Sequence, residues 1–134
     1  MRIQIIDRSL LDQTSAKAIS NERLRMNYNI HTELIDPVNR MLNALEPGTV
    51  LPIHRHLHPY KNETFIILRG ELDVLLYKDD GSLLDCVTLN ASKGNYGIDI
   101  PGNVWHSLDV KESGTVVFEV KQGPYSPIAP EDIF

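Results

Sequence analysis

The sequence predicts one mainly β domain, a sandwich or barrel of short strands, with a single helix near its N-terminus. Its 134 residues suffice for one buried core but not for a second domain with its own active site. From Arg40 onward, short β-rich runs alternate with turn residues. The Asp80-Gly81 pair between two such runs is a strong hairpin signal. Together these observations favour an all-β fold with antiparallel strands.

The N-terminal segment is predicted to hold a short strand and the helix. Residues 2–6 form the candidate strand. The apolar residues that follow predict a helix that Ser9 or Asp12 caps and that ends at Asn21. It is the only helix that the sequence predicts. The turns of the β region fall at 46–49, 68–71, 78–82 and 99–103.

The later strands can be bounded from the sequence, and so can the tail. The clearest runs are 72–77, 83–89, 105–110 and 115–120. Prolines at 124, 127 and 130 predict an extended tail that wraps the body of the domain. We therefore divide the single domain into an N-terminal extension (1–35), a barrel (36–121) and a C-terminal tail (122–134).

Composition and charge limit the possible partners. A net charge of -5 argues against a nucleic-acid or anionic-membrane surface and favours a small polar ligand. No apolar run approaches the roughly twenty residues of a membrane span, and the N-terminus lacks a secretory pattern, so we expect a soluble, cytoplasmic protein. Cys86 is the only cysteine, which excludes an internal disulfide and a thiolate cluster; we expect it to be reduced and half-buried.

Four of the five histidines belong to a pattern that indicates a metal site. His54, His56 and His58 occupy alternate positions of an extended run, so their imidazoles can share one face. Glu63 follows them closely, and His106 comes later, after a Pro-Gly turn. Neutral imidazole together with carboxylate is a ligand set for transition metals.

This spacing resembles the two motifs of the cupin family. The motifs read Gly48-x5-His54-x-His56-x6-Glu63-x6-Gly70 and Pro101-Gly102-x3-His106. The resemblance implies a double-stranded β-helix, also called a jelly-roll barrel, with a metal in its mouth. It implies that one divalent transition metal ion is bound by His54, His56, Glu63 and His106. Iron, manganese, nickel, cobalt, copper and zinc all suit these ligands.

The identity of the outer histidine ligand has two solutions. The lead-in of five residues from Gly48 selects His54 with His56. Counting back from Glu63 by the usual cupin spacing of three or four residues selects His56 with His58, because six residues separate His56 from Glu63 here. We prefer His54, since the proline directly after His58 indicates a turn there.

Segments outside the metal motifs resemble the WbuC family, small cupin-fold metalloproteins often associated with bacterial surface-polysaccharide gene clusters. These segments are 23–31, 36–48, 56–63 and 118–125. They cover most of the chain, and the long loop at 56–63 is typical of this family. The resemblance implies a role in polysaccharide biosynthesis.

We expect a metal-dependent enzyme that acts on a sugar, a sugar nucleotide or another small polar metabolite. An isomerisation or epimerisation in which the metal polarises a carbonyl oxygen would suit such a site. The alternatives are a non-catalytic sugar-binding or metabolite-binding module and an iron-dependent dioxygenase. Cupins commonly pair through sheet edges, so a homodimer is also expected.

A polar run near the N-terminus supplies candidate substrate-binding residues, because alternation places four of its polar side chains on one face. Arg40 and Lys121 could add positive charge to the barrel mouth, Lys61 lies in the ligand loop, and Tyr125 could cover one end. The predicted substrate-binding set is Arg25, Asn27, Asn29, His31, Arg40, Lys61 and Tyr125. No catalytic residue can be assigned from the sequence.

Overall fold

A computed structural model describes residues 3–134 as one α-helix, two short 3-10 helices and eight strands. The elements are α1 (Arg8–Ser20), β1 (Arg25–Asn29), β2 (Val38–Leu45), β3 (Glu63–Arg69), β4 (Leu72–Tyr77), β5 (Leu83–Leu89), β6 (Gly97–Ile100), β7 (Trp105–Val110) and β8 (Thr115–Gln122), with 3-10 turns at Ala91–Lys93 and Pro130–Asp132. One antiparallel sheet has the order β1-β2-β8-β3-β6, and a second has the order β5-β4-β7. The predicted mainly β class is confirmed.

The hydrophobic core lies between the two sheets. Both sheets contribute side chains to it, including Leu45, Phe65, Ile67, Leu72, Val74, Leu89, Ile100, Val110 and Val117. In β3 every second residue is buried, as expected for a strand with one face on the core. Glu63 is the first residue on that buried face and precedes Phe65 and Ile67. The alternation therefore places the carboxylate of Glu63 in the barrel interior.

The helix α1 covers the outer face of the larger sheet. Its Ala18 packs against Leu42, Ala44 and Val116 of that sheet. The helix ends at Asn21 as predicted, but its N-cap is Asp7, whose carboxylate accepts from the backbone N–H of Leu10 at 3.0 Å. The predicted caps are thus wrong, because Ser9 and Asp12 already lie inside the helix. No helix within residues 3–134 has the length and apolar character needed to cross a membrane.

Several predicted boundaries agree with the structure, and others shift. The strands at 72–77, 83–89 and 105–110 are confirmed, and β8 extends to Gln122. Residues 3–6 form no strand, and Arg2 lies outside the described residues. β1 falls within the predicted N-terminal extension but pairs with β2, so the larger sheet begins at Arg25, before residue 36. Cys86 is exposed on β5 and not half-buried.

The C-terminal tail runs along the body of the domain, as its prolines predicted. The backbone N–H groups of Gly123 and Tyr125 donate to the carbonyls of Pro37 and Leu34 at 2.8 and 2.7 Å. At the end of the chain, the N–H of Phe134 donates to Ile53 at 2.8 Å. The tail therefore reaches the segment that carries the first two candidate metal ligands.

Candidate metal centre

The fold brings His54, His56, Glu63 and His106 together. One ligand atom from each of these side chains lies within 4.8 Å of the others. His54 and His56 come from the segment between β2 and β3, Glu63 begins β3, and His106 lies on β7. The site thus joins both sheets, and the sequence prediction for these residues agrees with their placement.

Backbone hydrogen bonds fix the histidine segment to the smaller sheet. His54 and His106 exchange two bonds, of 3.1 Å from the N–H of His54 and 2.8 Å from the N–H of His106. The N–H of His56 donates to the carbonyl of Gly102 at 3.0 Å. The ligand segment therefore behaves as an added strand beside β7, which sets the directions of two imidazoles before any ion binds.

Hydrogen bonds at Nδ1 also fix how two imidazole rings face the centre. Nδ1 of His54 lies 2.9 Å from the carbonyl oxygen of Pro52, and Nδ1 of His106 lies 3.0 Å from that of Val104. A carbonyl can only accept, so each Nδ1 carries the proton and each Nε2 presents its lone pair. Backbone carbonyls orient metal-binding histidines in this way in known sites.

Glu63 supplies the negative charge of the cluster. Its side chain is 3% exposed, and its Oε1 lies 2.6 Å from Nε2 of His106 and 3.5 Å from Nε2 of His56. Despite these short distances, Oε1 has no well-aligned hydrogen-bond donor in the described part of the chain. A buried carboxylate oxygen without a donor is costly unless a cation compensates it. Ligand atoms about 2.1 Å from one ion lie roughly 3 Å apart, so these separations fit a shared metal.

The protonation states of the cluster also suit metal ligation. Burial raises the pKa of Glu63, but its neighbours His106 and His56 outweigh this effect and hold it at about 2. Burial lowers the pKa of His56 to about 4 and that of His54 below its ordinary value. Burial lowers the pKa of His106, but the Glu63 carboxylate outweighs burial and raises this pKa above its ordinary value. At neutral pH the site offers an ionised carboxylate and two neutral imidazoles, with His106 the imidazole most inclined to carry a proton.

His58 lies outside the cluster, so the cluster contains the pair His54 and His56 and not the pair His56 and His58. Its side chain is half-exposed, and its Nδ1 lies 2.9 Å from Oδ1 of Asp132. The N–H of Lys61 donates to the carbonyl of His56 at 2.8 Å, which closes the extra loop residues into a turn. The extra residues between His56 and Glu63 therefore form a local protrusion. His54 and His56 remain the paired candidate ligands.

Gly102 explains why the glycine of the second motif follows its proline directly. A Cβ at this position would lie 2.5 Å from the carbonyl oxygen of His56 and 2.9 Å from the backbone nitrogen of Lys61. Both atoms belong to the main chain of the ligand loop, so no side chain can rotate to relieve the contact. Only glycine lets the loop pack this closely against the turn.

Gly102→Ala is therefore expected to displace the ligand loop and to weaken metal binding about tenfold, with a loss of about 1–3 kcal/mol in unfolding free energy from overpacking. Metal titration and thermal unfolding would measure both effects. The matched control is Asn103→Ala at the next, exposed position. Equal affinities for the two variants would show that the close packing at Gly102 is unimportant.

A cluster of contacts from the last five residues, which we call the C-terminal clasp (130–134), holds the ligand segment from the other side. Its centre is Asp132, whose side chain is 1% exposed. Asp132 accepts from the N–H groups of Leu57 and His58 at 3.1 and 2.7 Å and from Nε of Arg55 at 3.1 Å. Phe134 packs edge-on against Trp105, with ring centroids 5.5 Å apart. The clasp thus fixes one side of the segment that carries His54 and His56.

The predicted substrate-binding residues lie in different parts of the structure. Arg25, Asn27 and Asn29 share the face of β2 residues that point to the barrel interior, at the edge of the larger sheet. The guanidinium of Arg25 donates to the carbonyl of Val50 at 2.9 Å, which ties it to the backbone. Their contact with substrate stays a prediction.

The other four predicted residues lie away from the cluster or are engaged elsewhere. His31 is buried, and its Nδ1 accepts from the backbone N–H of Arg40 at 3.1 Å. Arg40 itself is exposed on the outer face, because it alternates with inward-facing neighbours on β2. Lys61 is buried and donates to the carbonyl of Pro124. Tyr125 is exposed at the surface.

The structure also shows polar interior residues that sequence reasoning missed. Asn39, Asn43 and Glu119 lie on the inner face of the larger sheet, beside Lys121, whose position near the mouth was predicted. Their sequence signal is weak, because Met41 separates the two asparagines on the inward positions of β2, and only Glu119 and Lys121 alternate on β8. Asp132 carried no sequence signal at all, since its partners lie more than 70 residues away.

Comparison with known proteins supports the cupin fold. The family described as a domain of unknown function, DUF6016, matches residues 6–89, and no curated protein matches the chain. A cupin superfamily protein from Desulfitobacterium hafniense is 12% identical over 73% of this chain and 76% of its own, with a TM-score of 0.57. KdgF from a Halomonas species is 14% identical over 76% of this chain and 80% of its own, with a TM-score of 0.56.

A third similar structure is the oxalate decarboxylase of Bacillus subtilis, a protein with Mn(II) centres. It is 16% identical over 82% of this chain, which spans 27% of the decarboxylase, and the TM-score is 0.57. At these identities the likenesses establish the fold alone. The predicted mainly β jelly-roll fold, with its N-terminal helix, is confirmed, and it is similar to the fold of these cupins.

Proposed function

The chain belongs to the DUF6016 family, and we propose that it is a metal-dependent cupin enzyme acting on a small polar metabolite. One observation carries the proposal: the buried Glu63 carboxylate and three convergent imidazoles each place one ligand atom within 4.8 Å of the others. Four protein ligands leave one or two positions free on an octahedral ion, as catalytic sites require. A closed structural site would fill them.

The chain's own residues would prepare the site for chemistry. His54, His56, Glu63 and His106 would hold one divalent ion, which supplies a Lewis acid for a carbonyl or enolate oxygen. Burial raises the pKa of the nearby Glu119, so this carboxyl holds a proton closer to neutral pH than an exposed glutamate does. Lys121 keeps its ammonium beside it, because Glu119 and Glu63 raise its pKa despite burial. The site thus offers one group that can hold a proton and one fixed positive charge.

The comparisons and the family resemblance indicate candidate metals and a candidate metabolite. Manganese is one candidate beside iron, nickel, cobalt, copper and zinc, and the Mn(II) of an oxalate decarboxylase with this fold supports including it. The segments that resemble the WbuC family support a sugar or sugar nucleotide of surface-polysaccharide biosynthesis, and hence a cytoplasmic location. β1 and β6 lie at the edges of the larger sheet, and we propose that one such edge pairs two chains.

Turnover in deuterated water tests the proposed enzyme. Protein reconstituted with each candidate metal would be incubated with uronates, ketoses and sugar nucleotides, and deuterium incorporation would be followed by NMR. An isomerase or epimerase exchanges a carbon-bound proton, so we expect incorporation by the wild type and none by Glu63→Gln. Oxygen consumption would be recorded in parallel for the iron-loaded protein. Bound metal and bound ligand without turnover in either assay would contradict the enzyme and leave a metabolite-binding module.

A further inference from the structure

A row of polar side chains crosses the barrel interior beside the metal centre. In the register of β2, β8 and β3, Asn39 lies opposite Lys121, and Lys121 lies opposite Glu63. Glu119 is the next inward-facing residue on β8, and Asn43 faces inward on β2. Asn39, Lys121 and Glu119 therefore lie near Glu63 on one face of one sheet, and Asn43 lies farther along β2. Apolar residues fill the rest of the core.

Part of this row is paired within the protein. Nζ of Lys121 lies 3.3 Å from Oε2 of Glu119, whose other carboxylate oxygen accepts from Nδ2 of Asn43 at 2.6 Å. The side chains of Lys121 and Glu119 are only 18% and 8% exposed. A lysine ammonium has three protons, so one carboxylate partner leaves donors free for a ligand.

The rest of the row lacks partners. Asn39 is 1% exposed, yet neither its Nδ2 nor its Oδ1 has a hydrogen-bond partner among residues 3–134, and Oδ1 of Asn43 is also unpaired. Most buried polar side-chain atoms in folded proteins are hydrogen-bonded, and leaving one unpaired is costly. The unpaired amide of Asn39 lies across Lys121 from Glu63 and is best explained by a ligand that binds it.

The charge beside Glu63 indicates the class of that ligand. A bound divalent ion together with the Glu63 carboxylate would leave one positive charge, and the ammonium of Lys121 lies on the same inner face. An anion would balance this charge in a low-dielectric interior, whereas a cation would not. The amide of Asn39 can donate to and accept from hydroxyl or carbonyl oxygens. The combination suits a small carboxylate with a neighbouring oxygen.

We propose that Asn39 and Lys121 form the subsite for a small hydroxy- or oxo-carboxylate, with the ammonium of Lys121 binding the carboxylate and the amide of Asn39 binding the adjacent oxygen. This inference rests on the proposed metal-dependent function and names its substrate class. Asn39 is 1% exposed and lies across Lys121 from Glu63, so the bound group is the reacting end of the substrate.

Calorimetry on Mn(II)-loaded protein tests the subsite with glycolate and its neutral counterpart glycolamide as probes. The wild type is expected to bind glycolate at least tenfold more tightly than glycolamide. Lys121→Met should weaken glycolate binding at least tenfold without changing metal content, and Asn39→Leu should weaken it severalfold. Lys17→Met on the exposed surface of α1 makes the same change in net charge and should bind like the wild type.

Removing Lys121 leaves buried Glu119 without its ammonium partner and with only its bond from Asn43, which lowers the stability of the fold. The Glu119→Gln/Lys121→Met double variant avoids this, since it removes both charges, and it should also lose glycolate binding. Equal binding of the two probes by metal-loaded wild type, or full glycolate affinity in folded Lys121→Met or in the double variant, would overturn the subsite while the metal centre stands. A wild type that takes up no metal would instead overturn the proposed function on which the subsite rests.

Discussion

Glu63→Gln is expected to lower metal affinity by roughly 100-fold or more while the fold is retained. Loss of a residue that only orients a ligand already costs about 10–100-fold in known sites, and Glu63 is itself a proposed ligand and the only carboxylate of the group. The amide has nearly the shape of the carboxylate, so the core around β3 needs no repacking. Competition against a chromogenic chelator would measure the affinity, and thermal unfolding would report the fold.

Glu119→Gln is the matched control for this experiment. It makes the same chemical change at a second buried carboxylate on the inner face of the same sheet, outside the ligand cluster. We expect it to bind metal within a few-fold of the wild type. Similar affinities for Glu63→Gln and the wild type would contradict the assigned centre, and an equal loss in both variants would attribute the effect to interior charge in general.

Asp132→Ala is expected to produce the largest loss of stability among the single substitutions considered. It leaves the N–H groups of Leu57 and His58 and the guanidinium of Arg55 without their buried acceptor. Breaking such a buried charged network costs about 3–5 kcal/mol, and Tm should fall on the order of 10 °C. The strand that carries His54 and His56 would loosen, so metal affinity should fall about tenfold as well.

Glu131→Ala controls for the lost charge, because Glu131 is the exposed neighbour of Asp132. Its Tm and metal affinity should match the wild type. Unfolding should be followed with metal and with EDTA, so that the effect of the clasp on the fold is separated from its effect on the centre. If Asp132→Ala unfolds at the same temperature as Glu131→Ala, the clasp does not stabilise the ligand strand.

The clasp also predicts how stability depends on pH. Burial raises the pKa of Asp132, but bonds from His58, Arg55 and Leu57 outweigh burial and hold it below its ordinary value. A carboxyl with a depressed folded-state pKa contributes its full stability above the unfolded value of about 3.9, and loses it as the pH falls through the folded value. The difference in unfolding free energy between wild type and Asp132→Asn should therefore shrink between pH 7 and pH 3. A constant difference would contradict the ionised clasp.

The candidate metal ligands could be predicted from the sequence because most of their signal is local. His54 and His56 lie two positions apart on one extended segment, and Glu63 follows after a turn, so the spacing indicates a shared site but leaves the outer histidine open between His54 and His58. His106 required the second motif, because its bridge with His54 joins segments that are far apart in the sequence. The hairpin of β4 and β5 was predictable for the same reason, since its turn residues lie directly between its strands.

The interior subsite and the clasp could not be predicted, because both depend on long-range register. Asn39 and Arg40 are adjacent polar residues, and a slip of one position would exchange which of them faces the core. Sequence reasoning selected Arg40, whereas the register of β2 with β8 buries Asn39. Asp132 contacts His58 across 74 residues of sequence, a pairing that no local pattern encodes. A single sequence thus does not show which polar side chains become buried.

Elemental analysis is the most direct test of the metal centre. Untagged wild type purified without chelators would be analysed by inductively coupled plasma mass spectrometry beside the His54→Ala/His106→Ala double variant. We expect near-stoichiometric transition metal in the wild type and its loss in a variant that remains folded. Equally negligible metal in both proteins, after reconstitution with each candidate ion, would contradict the metal centre.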